Sequence, residues 1–234
     1  MTRPPLRAGE LALADQLYFL THDRNGNRRL HERAIGYGLA ASLIAELAWS
    51  GWALIEPDPT PFTDGRGILT LLDQRPIMPA DPNAHSGAAT AALPPLWHEL
   101  ATEPWRHPLR TWLDYAGQGI ALGAVEARLV HAGHLRQERK RHVAVQISTA
   151  NAPEARMWGV LQRMVQPSGQ DLTLLALADA VGLRSLLLNT HQPAASVCMD
   201  TYLAGMKDEN TMWPIVELVA QTGAAVGASV LTRT

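Results

Sequence analysis

The stretch from Ala34 to Trp49 constrains the fold of this chain more than any other part of it. Its residues are apolar or small nearly all round, interrupted only by Ser42 and Glu46, so a helix built from it has no face to give to water. Such a helix either lies at the centre of a protein, covered on every side, or crosses a membrane. Extended to Ile55, the run approaches the roughly 20 apolar residues that span a bilayer. Glu46 in mid-run, Gly51 where a helix stops, and Glu56-Pro57-Asp58-Pro59 immediately after decide against a span. The expectation is a buried central helix.

Covering such a helix takes a sizeable core. The chain has 234 residues, 47% of them apolar and 18% charged, which excludes wholesale disorder and favours one domain. The formal net charge of -2, from 20 Lys and Arg against 22 Asp and Glu, supplies no general basic field for nucleic acid. Any anion binding therefore has to come from a local cluster. The single cysteine, Cys198, excludes an internal disulfide and any multi-cysteine metal centre, and fits a reducing, cytoplasmic compartment. The opening Met-Thr-Arg-Pro-Pro-Leu-Arg lacks the apolar core of a signal peptide. Residues 1–9 read as a flexible tail and 10–234 as the folded domain.

Ahead of the central helix, Leu13, Leu17 and Leu20 recur at helical spacing from Glu10 onward, the stripe of an amphipathic helix that ends at the turn Asp23-Arg24-Asn25-Gly26. After it, Trp52 to Glu56 and Ile68 to Leu72 form a small β-hairpin with a long connection. Residues 73–95, punctuated by Pro76, Pro79, Pro82, Pro94 and Pro95, read as an exposed internal loop. The spacing of Leu109, Trp112, Leu113, Ala116, Ile120 and Ala124 predicts one long helix running to Val130 and capped by Gly133, with Gly117, Gly119 and Gly123 signalling close packing. His142 to Ser148 alternates like a strand and follows a basic run, Arg136 to Arg141. Helices are expected over Pro153–Val165, Asp171–Val181 and Ala194–Lys207, with a last apolar segment from Trp213 to Leu231.

Motifs that carry chemistry are mostly missing. His131 and His134 have a one-face helical spacing but no further ligand nearby, and His98-Glu99 has Thr102 where a zinc-protease helix needs its second histidine. Asp23-Arg24-Asn25-Gly26-Asn27 has its glycine two positions too early for a calcium loop. Gly117-Gln118-Gly119 with Gly123 misses the dinucleotide fingerprint, and no nucleophile elbow or phosphate loop occurs. Cys198 reads as a buried structural thiol, and Glu46 as a buried carboxylate paired with an Arg or Lys. Neither a metal nor a cofactor is expected, and no enzyme, because no set of titratable groups converges. Two basic clusters remain. Arg28, Arg29, His31 and Arg33 precede the central helix, where their side chains and the helix's free N–H groups can converge on one anion. Arg136, Arg139, Lys140 and Arg141, with Glu138 among them, read as a charged, solvated hairpin edge.

The blocks Leu13-Ala14-Asp15-Gln16-Leu17-Tyr18-Phe19-Leu20, Asp23-Arg24-Asn25-Gly26, Gly38-Leu39-Ala40-Ala41-Ser42-Leu43-Ile44-Ala45-Glu46-Leu47-Ala48 and Gly51 resemble the Golgi phosphoprotein 3 family, including its bacterial relatives. The likeness continues more loosely through Trp105 to Leu135 and Leu174-Leu175-Ala176-Leu177-Ala178. It implies a mostly α, single globular helical domain with a buried central helix and short β-hairpins. It also implies peripheral membrane binding through phosphatidylinositol 4-phosphate and, in eukaryotic members, binding of glycosyltransferase tails. The family's lipid site, one tryptophan and three arginines, falls here on His31, Ala40, Gly119 and Leu122, so none of those side chains is kept. The expected function is a non-catalytic peripheral membrane adaptor that takes an anionic lipid headgroup on Arg28, Arg29, His31 and Arg33. The alternative is a helical protein–protein interaction module without lipid binding, acting on a protein partner or as a homo-oligomer.

Overall fold

The computed structural model describes residues 11–58, 67–71, 107–139, 141–188 and 193–231. The tail at 1–9 and the loop at 73–95 lie outside them. Among the described residues, helix α1 (Leu13–Thr21) leads through the Asp23–Asn27 turn into α2 (Glu32–Trp49). Strands β1 (Ala53–Pro57), β2 (Gly67–Leu71) and β3 (His107–Pro108) form an antiparallel sheet in that order, with Ile55 opposite Leu69 and Leu69 opposite His107. Helices α3 (Leu109–Gly117) and α4 (Ile120–His131) follow, then the hairpin β4 (Leu135–Glu138) and β5 (Arg141–Ala144). Helices α5 (Ile147–Leu161), α6 (Gly169–Ala180), α7 (Arg184–Leu188), α8 (Pro193–Asp208) and α9 (Trp213–Leu231) complete a mostly α fold.

The central helix is where the sequence places it. Helix α2 packs against α1, α3, α4, α6, α9 and β1, and everything from Ala34 to Leu47 except Tyr37 is buried. It ends as expected: Gly51 takes a φ of +71° and Trp52 N–H donates to the Leu47 carbonyl at 2.9 Å, which closes the last turn. No helix among the described residues is long and apolar enough to cross a membrane.

Several local expectations are corrected. Helix α1 is buried along its whole length instead of on one stripe, because its polar residues find partners inside: Gln16 donates to the Leu11 carbonyl at 2.8 Å, and Asp15 meets Arg128. The predicted long helix from Leu109 is broken at Gln118-Gly119, where Gly119 adopts a left-handed φ of +114° and starts α4. Of the three glycines there, Gly117 does meet a neighbour: a Cβ on Gly36 would collide with its carbonyl oxygen, so α2 and α3 touch backbone to backbone. Gly119 and Gly123 face open space. The His142 strand stops at Ala144, and α5 starts at Ile147, well before Pro153, whose ring is buried inside the helix. There the proline removes one helix N–H donor. Strand β3 and the short α7 carry no sequence signal long enough to read.

At the centre sits one ion cluster. Arg128 of α4 donates from Nη1 to Glu46 Oε2 at 2.8 Å and from Nε to Asp15 Oδ1 at 2.8 Å, while Ala14 N–H donates to Glu46 Oε1 at 2.8 Å. All three side chains are buried. Burial pushes the Asp15 carboxyl up to about 7 against the pull of Arg128.

Arg128→Met strands two carboxylates in the core and is expected to cost about 3–5 kcal/mol in urea denaturation, whereas replacing Asp15, Glu46 and Arg128 together by apolar residues of similar volume costs far less. Folded Asp15 holds its proton up to about pH 7, while an unfolded carboxylate has lost it by about pH 4. Stability from this group is therefore full at low pH and falls as pH rises through that window, by no more than about 1.4 kcal/mol per pH unit. The difference in unfolding free energy between wild type and Asp15→Asn, followed from pH 4 to 8, is expected to carry that slope and to flatten above 7.

Candidate functional site

The turn at 23–28 is built by its first residue. Asp23 Oδ1 accepts from the N–H groups of Asn25 and Asn27, both at 2.8 Å, and Oδ2 accepts from Asn27 Nδ2 at 2.8 Å. Burial opposes ionisation of Asp23, but these bonds hold its carboxyl below the ordinary value. With that carboxylate satisfied from within, the segment is a turn and not a calcium loop. Gly26 supplies the left-handed φ of +73° that the turn requires.

Residues more than a hundred positions later dock on this turn. Ala144 N–H donates to the Arg24 carbonyl at 3.2 Å, Arg141 Nη1 donates to Asn27 Oδ1 at 2.6 Å, and Gly26 lies so close to the His142 carbonyl that a Cβ would not fit. Cross-strand partners share a face, so Gln137 and His142 lie together on one side of the hairpin and Arg136, Glu138, Arg141 and Val143 on the other. His142 Nδ1 stands 3.3 Å from Glu126 Oε1, and Tyr18 OH donates to the same oxygen at 3.4 Å. Burial and Glu126 both push the Tyr18 phenol up. His22 stacks on Tyr18 with ring centroids 4.1 Å apart, and burial brings its imidazole down to about 4, so it is neutral beneath the turn.

The two basic clusters therefore meet, which sequence spacing gave no means of seeing. Arg24, Arg28 and Arg29 come from the turn; Arg136, Arg139 and Arg141 come from the hairpin, with Arg139 at its tip in a left-handed φ of +56°. Among the expected site residues, Arg28 pairs with Glu32 at 2.7 Å and Arg29 with Glu154 of α5 at 3.0 Å. His31 caps α2, its Nδ1 accepting from Arg33 N–H at 3.3 Å, so one N–H expected to face an anion is already bonded. Arg33 sits nearer Tyr37, where its charge opposes the burial that raises that phenol. Arg24, Arg33 and Arg139 make no ion pair among the described residues. Val145 and Ile147, exposed at 47% and 54%, adjoin the hairpin base.

The positions that the resemblance assigns to the family's headgroup have other uses here. His31 caps α2, Ala40 is fully buried, Gly119 makes the break before α4, and Leu122 packs half-buried against the core. The backbone contact between Gly36 and Gly117 draws these helices together beside them. Among the described residues no group of His, Cys, Asp and Glu is placed to hold a metal ion.

A mostly helical scaffold wrapped round one buried helix, with a basic turn locked to a hairpin, is the kind of protein these features define. The family model described as Golgi phosphoprotein 3 (GPP34) matches residues 13–216. The chain belongs to the Golgi phosphoprotein 3 family. No curated protein matches it.

Gly26→Ala introduces both a strained φ and a clash with His142, and is expected to unlock the hairpin from the turn at a cost of about 1–3 kcal/mol. Native-state hydrogen exchange checks this: the Ala144 amide loses protection while the amides of α2 keep theirs.

Proposed function

We propose that the chain is a non-catalytic peripheral membrane adaptor whose contact with anionic lipid headgroups, phosphatidylinositol 4-phosphate among them, is made by the face shared by the turn and the hairpin. The observation that carries this reading is the docking of the Arg141 guanidinium on Asn27, which gathers arginines from two distant segments into one patch. A net charge of -2 on the whole chain makes that patch a local feature. Arg24, Arg28 and Arg29 form its turn side, His31 and Arg33 flank it at the start of α2, and exposed Val145 and Ile147 at the hairpin base supply apolar contact. Each basic residue near an anionic surface contributes about 1 kcal/mol, and the attraction weakens with salt.

Flotation with neutral, phosphatidylserine-containing and phosphatidylinositol 4-phosphate-containing vesicles tests this. Binding is expected to require negative charge, to fall between low and physiological salt, and to drop more than about tenfold in Arg29→Glu/Arg33→Glu and in Arg139→Glu. Unchanged binding in both variants would sink the reading. No binding under any condition moves the function to the protein-binding module, which the strongly exposed Met164 and Val197, at 70% and 61%, favour as an apolar contact.

A further inference from the structure

A cavity of about 370 Å³ opens between α5 and α7, lined by Asn151, Glu154, Ala155, Trp158, Leu186 and Leu187. That is within the size range of small-ligand sites. Its polar groups have capacity left. Glu154 Oε2 accepts from Arg29 Nη1 at 3.0 Å, but Oε1 makes no hydrogen bond among the described residues, and neither does the Asn151 side-chain amide.

We propose that this cavity binds a small organic cation, a quaternary ammonium or protonated amine of the choline or ethanolamine type. The Glu154 carboxylate in the wall is held by Arg29 through Oε2 alone, which leaves Oε1 to take a second cation. An indole attracts a cation through its ring quadrupole, most strongly for alkylated ammonium groups. The two leucines take the carbon atoms such an ion carries, and the Asn151 amide oxygen accepts from an amine or hydroxyl. A hard metal ion is not matched, because it needs six or more oxygens and the lining side chains offer only those of Glu154 and Asn151.

Arg29 is this chain's own cation on the same carboxylate. An ammonium that takes Glu154 competes with it and leaves the guanidinium to the basic face. Only that coupling rests on the membrane reading; the cation site stands without it.

The test is calorimetric and NMR titration of the full chain with choline, with ethanolamine and with the neutral isostere of choline in which carbon replaces nitrogen. Saturable binding of choline is expected, with the isostere at least about tenfold weaker, and Glu154→Gln and Trp158→Leu each losing at least about tenfold. Glu154 is half-exposed, so Glu154→Gln is expected to melt as the wild type does and keeps the result interpretable. Phosphatidylcholine vesicles that compete with free choline identify a lipid headgroup as the source, and vesicles that do not compete identify a free amine. Arg139→Glu, which tests the basic face, leaves choline affinity unchanged, so the two proposals fail separately. Equal binding of choline and its isostere, wild-type affinity in Glu154→Gln, or no saturable choline binding overturns the inference.

Discussion

Three ionisable side chains with no access to water hold the middle of this protein together. Arg128 reaches Glu46 and Asp15 at once, and Glu46 also accepts the Ala14 N–H, so α1, α2 and α4 share one polar knot inside an apolar core. Buried ion pairs of this kind add little net stability, but they penalise every arrangement in which a charge lacks its partner. A helix that is apolar all round, as α2 is, has no preferred rotation from hydrophobicity alone. Glu46 gives it one.

The knot also sets the surface. Arg128 fixes the rotation of α4 from the inside, and two residues earlier the same helix presents Glu126 to Tyr18 and to His142 of the hairpin. Its end, closed by Gly133 at a φ of +73°, passes straight into β4. The position of the hairpin, and with it that of half the basic face, therefore follows from a core residue that never touches solvent. The turn that carries the other half is tied to the end of α1, where Arg29 N–H donates to the Thr21 carbonyl at 2.8 Å.

Much of the fold was legible where a local rule acts alone. The all-apolar run from Ala34, the turn closed by Gly26 and the glycine stops at Gly51 and Gly133 stand where pattern placed them, and the last apolar segment, Trp213 to Leu231, is a helix over that same range. Expectations failed where a distant partner decides. Polar Asp15 and Gln16 made α1 look amphipathic because their buried partners are not visible in sequence. Pro153 looked like a helix start because its burial was not visible either. The pairing of Glu46 with a basic residue was readable, and a signal for Arg128 existed: Ala121, Val125, Arg128 and Leu129 form the buried stripe of α4, with one cation in it. The arginines at 28–33 were readable as a cluster, but not their union with the hairpin, which depends on a tertiary contact between Gly26 and His142.

Chain order gives the buried knot one further consequence. Synthesis proceeds from the N-terminus and domains fold as they emerge, so Asp15 and Glu46 leave the ribosome long before Arg128. Helices α1 and α2 then hold the Glu46 carboxylate and the Asp15 carboxyl before their buried cationic partner has been made, and closing the core round them would leave both groups without it. The first fifty residues are thus held back from settling early, and a helix that is apolar on nearly every face has to wait for a residue some eighty positions behind it.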